Sequence, residues 1–173
     1  MRTTWISYAW YALQVRTRCE QFVAGLLQAK GYEQFLPTIR SIEQRATSNR
    51  AVQQPLYPGY LFYKHDPRIE GPVVTTPFVI RVVGFCDRPV PICDSEIENI
   101  RSLVSCDLNI HPWPFLSCGQ RVQMVSGPLR GVKGTLLFSK SCTRLVVSVD
   151  LLQRACAVEV KREWVNACLD FAA

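Results

Sequence analysis

Histidine is nearly missing from the 173 residues: only His65 and His111 occur. No Cys-x-x-Cys pair is present either, so the spacing that builds zinc sites is lacking. There is no glycine-rich nucleotide loop and no Ser-His-Asp order. No catalytic residue, metal or cofactor is therefore expected, and the chain does not read as an enzyme. Its cysteines leave a thiol enzyme as the one opening, and none has a histidine partner close in sequence. Long apolar runs are absent too: nothing approaches the ~18 residues that cross a bilayer. The opening Met1 to Tyr8 has neither an apolar core nor a small-residue cleavage site, so no signal peptide is read. The expected location is the cytoplasm, with no membrane partner.

What is present is a globular composition. Hydrophobic residues make up 48%, enough for a core rather than a disordered chain. Eight cysteines, Cys19, Cys86, Cys93, Cys106, Cys118, Cys142, Cys156 and Cys168, are expected as free thiols, several serving as small hydrophobes. Twenty Lys and Arg against fourteen Asp and Glu give a charge of +6. Cationic surface is drawn to phosphate, so the balance fits work beside nucleic acid, as it also fits any basic soluble protein.

Trp10 to Val15 is short, aromatic and apolar and reads as a strand. From Arg16 to Lys30 the spacing of Cys19, Phe22, Val23, Leu26 and Leu27 predicts one helical face. Thr17-Arg18-Cys19-Glu20 offers a capping box, and Gly31 stops the helix. A second extended stretch runs from about Phe35 to Arg45, and Ala46 to Arg50 reads as a hairpin tip. Two more strands follow, one entered through Pro55 to Lys64 and one over Phe78 to Phe85. Asp94 to Val104 is a second helix, with acids at its positive N-terminal end. Pro112 and Pro114 mark a linker. Beyond it, β-rich runs at 121–125, 134–138, 145–149 and 157–160 suggest a small barrel that protects its sheet edges. Leu145 to Val149 is β-branched and favours strand over helix.

The order of these features is specific. Trp10-Tyr11-Ala12-Leu13, then Gly31-Tyr32-Glu33-Gln34-Phe35-Leu36-Pro37, then Pro55-Leu56-Tyr57-Pro58-Gly59-Tyr60-Leu61-Phe62 resembles the N-terminal domain of NusG-type transcription factors. Thr76 to Gly84 and Pro89-Val90-Pro91-Ile92 are similar to that family too. Gly119-Gln120-Arg121-Val122, Ser126 to Gly131 and Gly134 resemble a KOW motif, and Val147 to Val160 continues the likeness. The resemblance implies an α+β fold: an α/β sandwich with an antiparallel sheet over 1–105, a linker over 106–116, and a KOW-containing SH3-like barrel of five strands over 117–168. It implies that the first domain binds the clamp helices of RNA polymerase and suppresses pausing or termination. The cysteines and basic charge are similar to specialised antiterminators of the RfaH and UpxY kind. An RNA-binding or ribosome-associated KOW module is the other reading.

Strand alternation places Tyr60 and Phe62 on one face and Leu61 and Tyr63 on the other. Spacing alone leaves open whether both faces are buried. The resemblance assigns Leu61 and Tyr63 to the core, and Tyr60 and Phe62 to an exposed apolar groove for polymerase, with Trp10 and Phe78 on the same surface. It places Arg16, with Arg18 nearby, about where related factors touch non-template DNA, though a solvated helix start is the other reading. Arg40, Arg45 and Arg50 near the hairpin extend a basic track or are simply solvated. In the second domain, Leu129, Leu151 and Leu152 match positions that contact ribosomal protein S10 or Rho; Leu151 or Leu152 is also a candidate to fill the barrel.

Overall fold

The computed structural model describes residues 8–45, 48–86, 88–106, 108–113, 120–138 and 143–167. Ala46 and Thr47 of the expected hairpin tip, the expected KOW residue Gly119, and Cys118, Cys142 and Cys168 lie outside them, while Ser48 to Arg50 of that expected tip are strand. The chain forms two compact units, 1–97 and 98–173. Both rest on antiparallel sheets with few helices, an α+β protein as expected.

The first unit begins with β1 (Trp10–Val15), α1 (Glu20–Ala29) and β2 (Gln34–Phe35). The hairpin β3 (Thr38–Arg45) and β4 (Ser48–Pro55) follows, then β5 (Tyr60–Lys64), β6 (Val79–Val82), β7 (Gly84–Phe85) and β8 (Arg88–Pro89). Four strands form one sheet in the order β2-β5-β1-β6. β1 sits inside it, which is why Tyr11, Ala12 and Leu13 are fully buried. Tyr11, Leu13, Val15, Leu61 and Tyr63 line one face and pack with Val23 and Leu27 of α1. Burial of apolar side chains on this scale, about 1.5–3 kcal/mol each, is what holds helix to sheet.

α1 is shorter than its pattern suggests, because Arg16 to Cys19 is spent on a turn closed by the Cys19 N–H on the Arg16 carbonyl, 3.0 Å. No side chain caps it, so the capping box does not form. Its buried stripe is Glu20, Val23, Ala24 and Leu27, which turns Phe22 out to solvent. α2 (Asp94–Ser105) buries Ile97, Ile100 and Leu103 and spans the boundary between the units.

In the second unit β9 (Ile110–Trp113) precedes β10 (Gln120–Met124), β11 (Lys133–Phe138), β12 (Thr143–Val149), β13 (Arg154–Val160) and β14 (Val165–Ala167). They form one sheet in the order β14-β10-β11-β12-β13-β9. Six strands stand where the resemblance implies five. β9 falls in the stretch expected to be a linker: Pro112 is tolerated because β9 is an edge strand, registered opposite Cys156 of β13. The central strand β12 buries Leu145, Val146, Val147 and Val149.

Candidate functional site

A tight turn delivers the candidate surface. Gly59 has φ +83°, a conformation open to glycine at little cost, and it is buried. Its carbonyl accepts the Val15 N–H at 2.9 Å, and its own N–H donates to the Glu20 carboxylate at 2.7 Å. Glu20 is only 3% exposed, so the bond is shielded from water. The end of β1, the start of α1 and the entry to β5 are thereby tied together just before Tyr60.

β5 does not leave an aromatic groove open along its length. Leu61 and Tyr63 are core, as expected, but Phe62 is 0% exposed as well, its ring stacked 6.1 Å from Phe35 and edge-on to Tyr57 at 6.2 Å. Trp10, expected on the same open surface, is 3% exposed, with the Lys64 ammonium 5.8 Å from its ring. Both expectations of exposure are corrected: an aromatic this large is stabilised by being enclosed, and both faces of β5 are covered at Phe62. Of the β5 aromatics only Tyr60 stays partly open. Tyr60 stands opposite Gln14, and Gln14 stands opposite Arg81, so the three form one cross-strand row. The Arg81 Nε donates to the Gln14 Oε1 at 2.8 Å, Arg81 is exposed and Tyr60 is half-buried.

Beyond this row lies Phe78, which is 42% exposed. It has φ +68°, costly for a bulky side chain. Its carbonyl accepts the Arg16 N–H at 2.9 Å, which joins the start of the basic turn to the entry of β6. Its ring meets Phe22 edge-on at 5.7 Å, and Phe22 is 57% exposed. Arg16 and Arg18 are both exposed, Arg18 with φ +71°. The structure thus brings the backbones of Arg16 and Phe78 together and adds Phe22, which the helical pattern places in the core. The missed signal is Glu20: the buried stripe begins on a carboxylate, so a count of apolar residues rotates it.

In the second unit Leu129 is buried, not displayed on its loop, and Leu152 is buried too; Leu151 is half-buried. The Gly127 to Gly131 turn instead presents Pro128 and Arg130, with Val125 exposed beside it. Gly127, at φ +79°, lies under Trp164: a Cβ there would stand 2.7 Å from the indole Cδ2.

Elsewhere, Arg68 donates to the Asp66 carboxylate through both its side chain and its backbone N–H and holds its pKa at about 2, below the usual 3.8. Burial lowers the His65 pKa, partly offset by Asp66. Among the described residues no three His, Cys, Asp or Glu gather to hold a metal ion, and Cys19, Cys86, Cys93, Cys106 and Cys156 are free thiols. No helix is long and apolar enough to cross a membrane among the described residues.

The two antiparallel units place the chain in a known class of α+β proteins. A solved structure described as domain interaction in Thermotoga maritima NusG is similar over 92% of this chain and 96% of its own, with a TM-score of 0.53 at 20% identity. A family model described as transcription termination factor NusG matches residues 8–101. The transcription termination/antitermination protein NusG of Vibrio vulnificus is 30% identical over 169 residues, 88% of this chain and 91% of that protein. Its counterpart in Thermus thermophilus is 30% identical over 152 residues, 76% and 82%. The Helicobacter pylori protein is 24% identical over 164 residues, 87% and 93%. The chain belongs to the NusG family of transcription termination/antitermination factors.

Proposed function

We propose that this protein is a transcription elongation and antitermination factor, of the specialised RfaH and UpxY kind, that binds the clamp helices of RNA polymerase through its first unit. The observation that carries the reading is the Tyr60–Gln14–Arg81 row, the open end of a sheet face otherwise sealed by Phe62 and Trp10. An aromatic beside a guanidinium, rimmed by exposed Phe78 and Phe22, has the composition of an interface hot spot. Tyr60 and Phe78 make the contact; Phe62 and Trp10 support it from beneath. A factor that prefers the closed clamp shifts polymerase away from paused states by no more than its differential affinity. Arg16 and Arg18 contact phosphates of the non-template strand, fixing position without reading sequence.

The second unit is read as a KOW-containing SH3-like barrel that recruits ribosomal protein S10 or Rho. Leu151 contributes directly, while Leu129 and Leu152 shape that surface from inside. Retention of purified RNA polymerase by the immobilised protein tests the main claim. Tyr60→Ala with Phe78→Ala should cut retention at least about tenfold, the weight of two modest hot-spot residues, with the far-UV spectrum unchanged. Undiminished retention by the folded double variant would remove the assignment. Release of paused complexes by the wild-type protein, and its loss in the variant, connects the contact to antitermination.

A further inference from the structure

Thr76 to Val79 close a tight turn, the Val79 N–H donating to the Thr76 carbonyl at 3.1 Å. Pro77 holds its second position and Phe78, at φ +68°, its third. That is the type II pattern, whose third position belongs by preference to glycine or asparagine. A bulky aromatic there is held against its own backbone preference. The ring gains little burial in return: Phe78 and its ring neighbour Phe22 are both exposed. Strain with no packing gain inside the fold points to a function.

Tertiary bonds keep the turn in that state. The Arg16 N–H donates to the Phe78 carbonyl at 2.9 Å, and the Thr76 N–H to the Val73 carbonyl at 3.1 Å. At the opposite corner the Lys30 ammonium donates to the Thr76 hydroxyl at 2.8 Å, across 46 positions. Thr76 is 2% exposed, so this charge-assisted bond is shielded from water, where such bonds are strong. A lysine at the end of a helix ordinarily extends into solvent beside the negative helix end. Lys30, the cap residue of α1, instead reaches onto the turn, while Phe22, roughly two turns earlier on the same helix, meets the Phe78 ring. α1 therefore touches the turn at Thr76 and again at Phe78.

We infer that Lys30 is a positioning residue for the polymerase contact: its ammonium braces the Thr76–Val79 turn and thereby holds Phe78 in the strained, exposed state that meets the partner. The inference rests on the reading of Phe78 as a contact residue and adds the device that prepares it. A ring fixed before encounter has less conformational freedom to lose on binding, so affinity rises. Without the ammonium, the buried Thr76 hydroxyl loses its partner, which is costly, and the turn relaxes toward backbone angles that phenylalanine prefers. Lys30 itself does not touch polymerase; it acts through Phe78.

The test pairs retention of purified RNA polymerase by the immobilised full chain with NMR of the free protein. Lys30→Met, which keeps the stem and removes the donor, should weaken retention about three- to tenfold, the weight of ordering one side chain. It should also erase the Phe22–Phe78 ring cross-peaks, with the far-UV spectrum unchanged. Lys30→Arg, which keeps a cationic donor, should stay within about twofold of wild type. Thr76→Val removes the acceptor at similar volume and should reproduce the Lys30→Met loss. Phe78→Asn suits the positive φ but removes the ring, and should lower retention by itself. Lys30→Met added to Phe78→Asn should then change retention no further, because the two act as one unit. A further loss in that background would make Lys30 a direct contact, and intact ring cross-peaks in Lys30→Met would mean that the turn stands without it; either result overturns the inference. Loss in Phe78→Asn without loss in Lys30→Met overturns the inference alone, whereas full retention by Phe78→Asn overturns the contact reading at Phe78 and the inference with it.

Discussion

At Tyr63 a polar atom is buried at a cost. The side chain is fully enclosed between Tyr11 and Tyr32, with ring centroids 6.0 and 5.6 Å away, and its hydroxyl has no hydrogen-bond partner among the described residues. Burial, then the neighbouring Tyr32 and Tyr11, push its pKa upward. Removing an unsatisfied buried hydroxyl while keeping the ring forgoes a desolvation penalty. Tyr63→Phe should therefore be neutral or stabilising by about 1 kcal/mol in urea unfolding, whereas Tyr63→Ala should cost about 3–5 kcal/mol. Asp66 shows the opposite case, a carboxylate stabilised in its charged form by Arg68, with Nη2 2.6 Å from Oδ2. Its folded pKa of about 2 lies below the usual 3.8, so its contribution is present above that usual value and disappears as pH falls through about 2. A carboxyl NMR titration should find its midpoint near 2, and Arg68→Ala should return it toward about 3.9. A wild-type midpoint at the ordinary value would show that the pair does not persist in solution.

At the scale of elements, Gly127 and Gly131 separate conformational from steric demands within one turn. Both have positive φ, +79° and +92°, but only Gly127 faces Trp164, whereas nothing lies within 4 Å of a Cβ at Gly131. Gly131→Ala should cost about 1 kcal/mol, the left-handed penalty alone. Gly127→Ala adds the clash with the indole and should cost about 2–4 kcal/mol, read from the midpoint of thermal or urea unfolding. The turn itself was legible in the glycine-proline spacing; the indole closing over it, some 37 positions on, was not, because no local pattern reports a packing partner. The same limit explains β5. Alternation correctly paired Tyr60 with Phe62 and Leu61 with Tyr63, but period two says which residues share a face, not whether a face is covered. Phe35 and Tyr57, which enclose Phe62, come from the neighbouring strand β2 and from the bend before β5. In α1 the buried Glu20 rotates the stripe away from the apolar count, and Phe22 joins Phe78 at the surface. The basic pair at Arg16 and Arg18 was readable as a helix start, while its backbone tie to Phe78 is a tertiary contact spanning 62 positions.

The whole molecule divides into two units whose order of elements was visible from turn residues and strand-length apolar runs, because those signals are local. β9 and β14 were not visible: one contains a proline and the other is three residues long, so both exist through their partners, β13 and β10. Such dependence bears on whether the second unit holds its strands by itself. Its central strand β12 pairs with β11 on one side and over seven positions with β13 on the other, and its buried Leu145, Val146, Val147 and Val149 are mostly β-branched. β-branched side chains lose rotamer freedom in a helix and pack well on a pleated sheet, so local preference and tertiary pairing agree. Residues 98–173 expressed alone should therefore retain strand-type carbon chemical shifts across 143–149 and 154–160, matching those of the full-length protein. Helical shifts over either segment, in the fragment or in the intact chain, would mean that the strand state is imposed by context and not by these residues.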